Sequence, residues 1–355
     1  MVGCGLVGTS VALALQATGV EVVIEDADPD NLRAARALTG AALWNPKAVA
    51  GGVDVVVVCV PPSATATVLF EVSRLDMHAT LTDVCSVKAN PLREAEALGV
   101  NPTRLIGGHP LAGRESEGPL GARRDLFAGR PWAICPLVGS DPARVLQILA
   151  LARAVDAQPV VLSAEEHDSA VATLSHLPQL LASALSAVGG GLPESQVGLS
   201  GPGFADMTRL AASPPELWAD IAARNAPALA EALEPLVAAL RTVHEALVDA
   251  TDAAGAARAV FGLVESGRAA RARRPDKEHV GGRRLDRVAV VLRDRPGELL
   301  ALFTASAVVN IEDVHIDHAP HQPTGVVDLA VLPESAAELA RALRAAGWEC
   351  SVKST

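Results

Sequence analysis

The sequence predicts an α/β chain in several parts: a doubly wound parallel sheet over residues 1–163, an all-helical domain over 164–268, a linker over 269–284, and a small βαββαβ domain over 285–355. Three observations predict it. Strand-like and helical stretches alternate through the first part, as crossover-connected parallel strands require. Strand patterns then give way to Ala/Leu-rich amphipathic stretches. After residue 284 strands return, two of them adjacent, which fits a small mixed domain.

The opening MVGCGLVGTS sets Gly3, Gly5 and Gly8 in the spacing G-x-G-x-x-G, which belongs at the turn from a strand into a helix and makes the sheet Rossmann-type. The following VALALQATG has helical spacing, with Val11 and Leu15 on one face. VEVVIED (20–26) reads as a strand ending in acid. VDVVVVCV (53–60) reads as a parallel strand buried on both faces, stopped by Pro61 and Pro62. ATLTDVCSVK (79–88), RLIGGHP (104–110), PWAICPL (131–137) and AQPVVLS (157–163) continue the series, with Asp141 as the cap of the helix PARVLQILALARAV. Only Met1 and Val2 precede the first glycine. A central strand that short would expose ladder groups of both neighbours, so the natural chain is expected to begin several residues upstream.

In the helical part, AVATLSHLPQLLASALSAV and PALAEALEPLVAALRTVHEAL carry more apolar surface than one chain needs, which predicts a homodimer. The basic stretch GRAARARRPDKEHVGGRR (267–284) reads as a solvated linker. In the last part DRVAVVL is a strand and RPGELLALFTAS starts a helix. NIEDVHIDH and TGVVDLAVL pair, SAAELARALRAAG is a helix and WECSVK a final strand.

Composition narrows the function. The chain has 355 residues, half of them apolar, and a net charge of −11, which argues against nucleic acid as a partner. Five scattered cysteines fit reduced thiols in a cytoplasmic protein. No basic residue precedes Arg33, and no apolar run is long enough for a membrane span, so neither a signal peptide nor a membrane is expected. Tyrosine is absent and cannot serve as a catalytic acid.

The glycine turn is expected to hold a dinucleotide through Gly3, Gly5, Leu6, Val7 and Gly8, with the pyrophosphate on the helix N–H groups. Asp26 ends the next strand, and a carboxylate there accepts from a ribose 2′-OH and repels a 2′-phosphate. The expected cofactor is therefore NAD. Glu25 points to the other side of the strand. GGHPLAGRESEG (107–118) puts His109 at a strand's carboxyl end, where doubly wound sheets bind ligands. TDVCSVK (82–88) offers Ser86 and Lys88 at a neighbouring strand end. Downstream, SHLPQ (175–179) supplies His176, and GPGFADMTRLAASPPELW (201–218) supplies Asp206 and Arg209.

Taken in order, GCGLVGTS, CVPPSAT, TDVCSVK, GGHPLAG, SHLP and DMTRLA…PELW resemble the prephenate dehydrogenase family of tyrosine biosynthesis over roughly residues 1–265. The tail, with DRPGELLALF (294–303) and VNIEDV (309–314), resembles an ACT domain. The resemblance implies NAD-dependent oxidation of prephenate, with loss of CO2 and aromatisation of the ring. It implies His109 as the catalytic acceptor at the ring hydroxyl, with Ser86 bonding to the same hydroxyl or to His109. It implies Arg209 on a substrate carboxylate, His176 near the substrate, and Glu115 and Asp206 orienting the pocket. Pro61 and Ser86 are expected near the cofactor, and no metal is expected. Lys88 is expected in packing or solvent, and His167 in a structural role. Some relatives carry Lys where this chain has Ala205, so one cation of the pattern is missing. The ACT-like tail implies an amino-acid effector. Arogenate is the alternative substrate. A hydroxy-acid dehydrogenase with a catalytic lysine in its second domain is disfavoured, because residues 164–268 hold no lysine. A non-catalytic amino-acid sensor is disfavoured by the intact set Ser86, His109, His176 and Arg209.

Overall fold

The computed structural model describes residues 1–45, 52–75, 78–112, 118–249, 251–271, 279–280, 283–317 and 323–353. The chain divides into two compact units, Met1–Arg241 and Thr242–Thr355.

The first unit begins with α1 (Leu6–Ala17), β1 (Val23–Ile24), α2 (Pro29–Thr39), β2 (Ala42–Leu43), β3 (Val55–Val58), α3 (Pro62–Leu75), β4 (Thr80–Asp83) and α4 (Ala89–Leu98). It continues with β5 (Leu105–Pro110), β6 (Pro131–Pro136), α5 (Pro142–Ala154) and β7 (Gln158–Val161). Strands β3 to β7 form one sheet in chain order, and β1 pairs with β2 in parallel. Alternation along β3 explains its unbroken apolar sequence. Val57 packs with Val11 and Leu15 of α1 and Ile148 of α5, whereas Val56 and Val58 pack with Leu69 and Val72 of α3 and Leu92 of α4. The sheet is thus buried on both faces, as doubly wound folds require. Asp141 caps α5, accepting the Ala143 N–H at 2.9 Å.

The short opening segment lies between two neighbours. Val2 bridges in parallel to both Glu25 and Val58. Backbone bonds run from Gly3 N to Glu25 O (2.8 Å), Glu25 N to Met1 O (2.9 Å), Val2 N to Val57 O (2.9 Å) and Cys59 N to Val2 O (2.6 Å). Three residues therefore satisfy ladder groups on both sides, where the sequence alone suggested exposed ones.

One feature departs from an all-parallel sheet. Strand β6 runs antiparallel to β5, and β7 follows β6 in parallel, so both oppose β3, β4 and β5. The cause lies in the connection: among its described residues, only a 3₁₀ turn (Pro119–Gly121) separates β5 from β6. A parallel return needs a long crossover, usually a helix, and α5 supplies one only between β6 and β7.

Helices follow: α6 (Ala164–Val171), a π turn (Ala172–His176), α7 (Leu177–Gly190), α8 (Glu194–Val197) and α9 (Pro202–Thr208). A 3₁₀ turn (Arg209–Ala212), α10 (Pro215–Arg224) and α11 (Ala226–Val248) come next, and α11 runs across the unit boundary. A capping box of Ser163 and Glu166 starts α6. Pro178 has no amide to donate to the Leu174 carbonyl, and the widened turn sits just before it. Ala164–Gly190 is long and apolar enough to span a bilayer by length and composition, yet it buries His167, Asp168, His176 and Gln179.

The second unit holds α12 (Ala253–Arg271), a two-residue antiparallel pair β8 (His279–Val280) and β9 (Arg283–Arg284), then β10 (Asp286–Arg293), α13 (Glu298–Ala305), β11 (Asp313–Asp317), β12 (Thr324–Val331), α14 (Pro333–Ala345) and β13 (Cys350–Lys353). The last six give the βαββαβ order. Their antiparallel sheet runs β11-β12-β10-β13. Val288, Val290, Leu292, Val327, Leu329 and Val331 pack one face against Leu302 of α13 and Leu339 and Leu343 of α14.

Candidate active site

The glycine turn divides its work among three residues. Gly3 has φ +93°, and a Cβ there would overlap the Cys59 carbonyl. A Cβ on Gly8 would overlap the Gly3 carbonyl. Both glycines let α1 and β3 close on the turn. Gly5 is different: its φ is −70°, and a Cβ there meets nothing within 4 Å. The fold does not need glycine at that position, whereas a diphosphate passing over the turn would. No side chain caps α1, and its first turn carries no acid, so its leading N–H groups are left for an anion. The other three helices starting at this edge are closed. Asp28 accepts the Asp30 N–H of α2 at 2.8 Å, Asp220 of α10 accepts the Ser63 N–H of α3 at 2.8 Å, and Asp168 of α6 accepts the Lys88 and Ala89 N–H groups at the start of α4 at 2.8 and 2.9 Å. Asp26 ties the turn to the next strand, with Oδ2 accepting from Cys4 N (2.5 Å) and Oδ1 from Asp28 N (2.7 Å). These residues fit NAD. Pro61 is exposed just before α3. Gly5→Ala should melt like the wild type while its Kd for NAD rises about 10-fold or more. Gly8→Ala should lose stability first. Thermal melts beside a fluorescence titration with NAD separate the two, and unchanged NAD binding by Gly5→Ala would place the diphosphate elsewhere.

His109 is the penultimate residue of β5, and Ser86 follows the adjacent β4, both at carboxyl ends and half-buried. Gly107 and Gly108 explain how the imidazole comes to sit there. A Cβ on Gly107 would stand 2.7 Å from Leu92 Cδ1, and one on Gly108 2.6 Å from the Asp83 carbonyl. His109 Nδ1 lies 2.8 Å from His167 Nε2, and His167 Nδ1 lies 2.8 Å from Asp168 Oδ1. The carboxylate can only accept, so His167 carries its proton on Nδ1 and accepts at Nε2. His109 therefore donates from Nδ1 and keeps a bare lone pair on Nε2. Burial pushes the His109 imidazole well below its ordinary value, and the neighbouring His167 and Lys88 act in the same direction. The result is a neutral, oriented acceptor.

His176 ends the π turn, buried beside the edge of Trp218 at 5.9 Å between ring centroids. Asn225 Nδ2 donates to Asp168 O at 2.9 Å and lies 3.2 Å from His176 Nδ1, which then accepts, leaving the His176 proton on Nε2. Burial takes His176 down to about 4, against the opposing pull of Asp168. Asp206 on α9 and Arg209 at the head of the next turn are exposed. That turn is held to α7 by Gln179 Nε2, which donates to Leu210 O at 2.9 Å. Glu115 lies outside the described residues.

Lys88, expected in packing or solvent, is fully buried and paired with Asp83. His167 is the direct partner of His109. Asp168, Asn225 and Asp83 escaped the sequence reading altogether. The signal for the first was the His-Asp step one turn inside a capped helix, EEHD.

The fold is shared with known proteins. Sequence models of the prephenate dehydrogenase nucleotide-binding domain and dimerization domain match residues 11–161 and 163–256. The chain belongs to the prephenate dehydrogenase family. It is 35% identical to the probable prephenate dehydrogenase NovF of Streptomyces niveus, over 98% of each chain. The crystal structure of the A. aeolicus prephenate dehydrogenase with hydroxyphenyl propionate and NAD+ is 26% identical, with a TM-score of 0.66 over 76% of this chain and 96% of that one. The Synechocystis arogenate dehydrogenase structure is 25% identical, with a TM-score of 0.64 over 77% of this chain and 98% of that one. As a prephenate dehydrogenase, the enzyme uses NAD.

Proposed function

We propose that the enzyme converts prephenate to 4-hydroxyphenylpyruvate and CO2, reducing NAD+ to NADH. One observation carries the mechanism: the chain Asp168–His167–His109 leaves Nε2 of a neutral imidazole as the acceptor. His109 Nε2 takes the proton of the ring hydroxyl as its carbon becomes a carbonyl. Bound NAD+ supplies the acceptor for the hydride leaving that carbon. The bond to the ring carboxylate then breaks, its electron pair completes the aromatic ring, and CO2 departs. His109 returns its proton to the phenolic oxygen, so the base ends as it began. Ser86 hydrogen-bonds the same hydroxyl. Arg209 holds a carboxylate of the substrate, for which a planar fork suits better than an ammonium. His176 lies beside the substrate, and Glu115 and Asp206 orient the pocket. Pro61 and Ser86 border the nicotinamide, and Asp26 binds the adenosine ribose.

We assign residues 1–163 to cofactor binding, 164–268 to substrate and dimerisation, 269–284 to a linker and 285–355 to an ACT-like regulatory domain. A homodimer is supported by the match to a dimerization domain and by α11, which buries only Leu229 while leaving Leu240, Leu247 and Val248 exposed. An amino-acid effector is supported by a cavity of about 890 Å³ whose walls include Arg293, Arg295, Glu298, Thr304 and Trp348. Charged groups of both signs beside an indole suit a zwitterion with an aromatic side chain. Five free cysteines support a cytoplasmic location.

NADH absorbance, followed with prephenate and with arogenate, tests the substrate. Turnover is expected with prephenate, and turnover with arogenate alone would overturn that assignment. Repeating the assay with tyrosine and with phenylalanine tests the tail. Unchanged rates, together with no calorimetric binding, would remove the effector.

A further inference from the structure

Asp83 and Lys88 form an ion pair in which both side chains are fully buried. Both come from TDVCSVK: Asp83 ends β4 and Lys88 precedes α4. Their common target is Gly108, the residue before His109. Asp83 Oδ1 accepts the Gly108 N–H at 3.1 Å, and Lys88 Nζ donates to the Gly108 carbonyl at 2.7 Å. The register shows why side chains do this. The β4–β5 ladder joins Leu81 to Leu105 and Thr82 to Ile106 and extends no further. Beyond it, Gly108 would face β4 with both backbone groups unmatched. Asp83 Oδ2 also accepts the Cys85 N–H at 2.9 Å, which fixes the carboxylate.

Lys88 supports His109 by a second route. Its backbone N–H donates to Asp168 Oδ1, the atom that accepts from His167, which in turn holds the His109 ring. One residue thus grips the backbone behind His109 with its side chain and anchors the ring support with its amide. Stability alone is a poor account of this pair. Two buried charges cost much of what their attraction returns, and apolar replacements often serve as well.

We propose that Asp83 and Lys88 are a positioning pair for the oxidation, fixing His109 through Gly108. The inference rests on His109 being the base. The titratable groups around that imidazole are His167 and Asp168 from α6, His176 from the π turn, and Asp83 and Lys88 from β4 and the start of α4. Lys88 is among those that keep it neutral.

The test uses Lys88→Met and the double variant Asp83→Asn/Lys88→Met in the full chain. The single variant strands the Asp83 carboxylate and is expected to melt early. The double variant removes both charges and is expected to regain most of the melting temperature. In whichever variant folds, kcat should fall about 10-fold or more with NAD Kd within about two-fold of wild type. In Lys88→Met, where the cation goes and the Asp83 carboxylate stays, the acidic limb of kcat/KM should also move up by about 1 pH unit. A purely structural pair would give back activity together with stability. A folded double variant with wild-type kcat overturns the proposal. His109→Asn is run alongside: if the acidic limb persists without His109, the assignment of the base fails instead.

Discussion

His109→Asn should lower kcat by about 10²-fold or more and leave NAD binding as it was. Asparagine keeps a polar side chain of similar reach, so Gly107, Gly108 and the Asp83–Lys88 pair retain their packing. What disappears is a group that can take a proton. The amide can still hydrogen-bond the substrate hydroxyl, so KM for prephenate should change far less than kcat. Stopped-flow or steady-state NADH absorbance, with NAD affinity measured by fluorescence, checks both halves. Activity within a few-fold of wild type would remove His109 from proton transfer.

The same residue sets the pH profile. Burial holds His109 well below the ordinary 6.5, so it stays neutral in weak acid and the acidic limb of kcat/KM should fall below pH 6.5. The sign for stability agrees. His109 and His176 both bind protons less readily when folded. Their contribution is therefore complete above about 6.5 and is lost as pH falls toward the folded value, about 4 for His176.

The ordered motifs made the cofactor end legible because each glycine, strand and acid there answers a local demand. Gly3, Gly8, Asp26 and the alternating faces of VDVVVVCV need only neighbouring residues for their interpretation. The reversal of β6 was not legible, since strand patterning carries no direction and only the missing crossover helix reveals it. The support of His109 was hidden for another reason. His167 lies 58 residues away in sequence, and only folding brings its Nε2 to His109 Nδ1. A lone histidine in a polar helix start reads as structural until its partner is placed. Lys88 likewise reads as a packing or solvent residue, because nothing near it in sequence announces that Asp83 and Gly108 enclose it.

Asp168→Ala should cost about 3 kcal/mol of stability and lower kcat about 10²-fold. Asp168 is nearly fully buried and accepts three hydrogen bonds, from Lys88 N, Ala89 N and His167 Nδ1. Alanine strands all three donors. Two of them open α4, so its start should fray, and urea denaturation should show a lower midpoint with an unchanged slope. The third effect is chemical. Without the carboxylate, His167 no longer has to carry its proton on Nδ1. If the proton moves to Nε2, His109 Nδ1 becomes the acceptor and the His109 proton shifts to Nε2, the atom that must receive one. Asp168→Asn separates the two effects. Its amide oxygen can still cap one α4 amide, so most of the stability should return. It offers a donor where a second acceptor is needed, so the tautomer is no longer fixed and kcat should stay well below wild type. Full activity in a stable Asp168→Asn protein would show that His109 keeps its lone pair without this support, and the relay would then be packing alone.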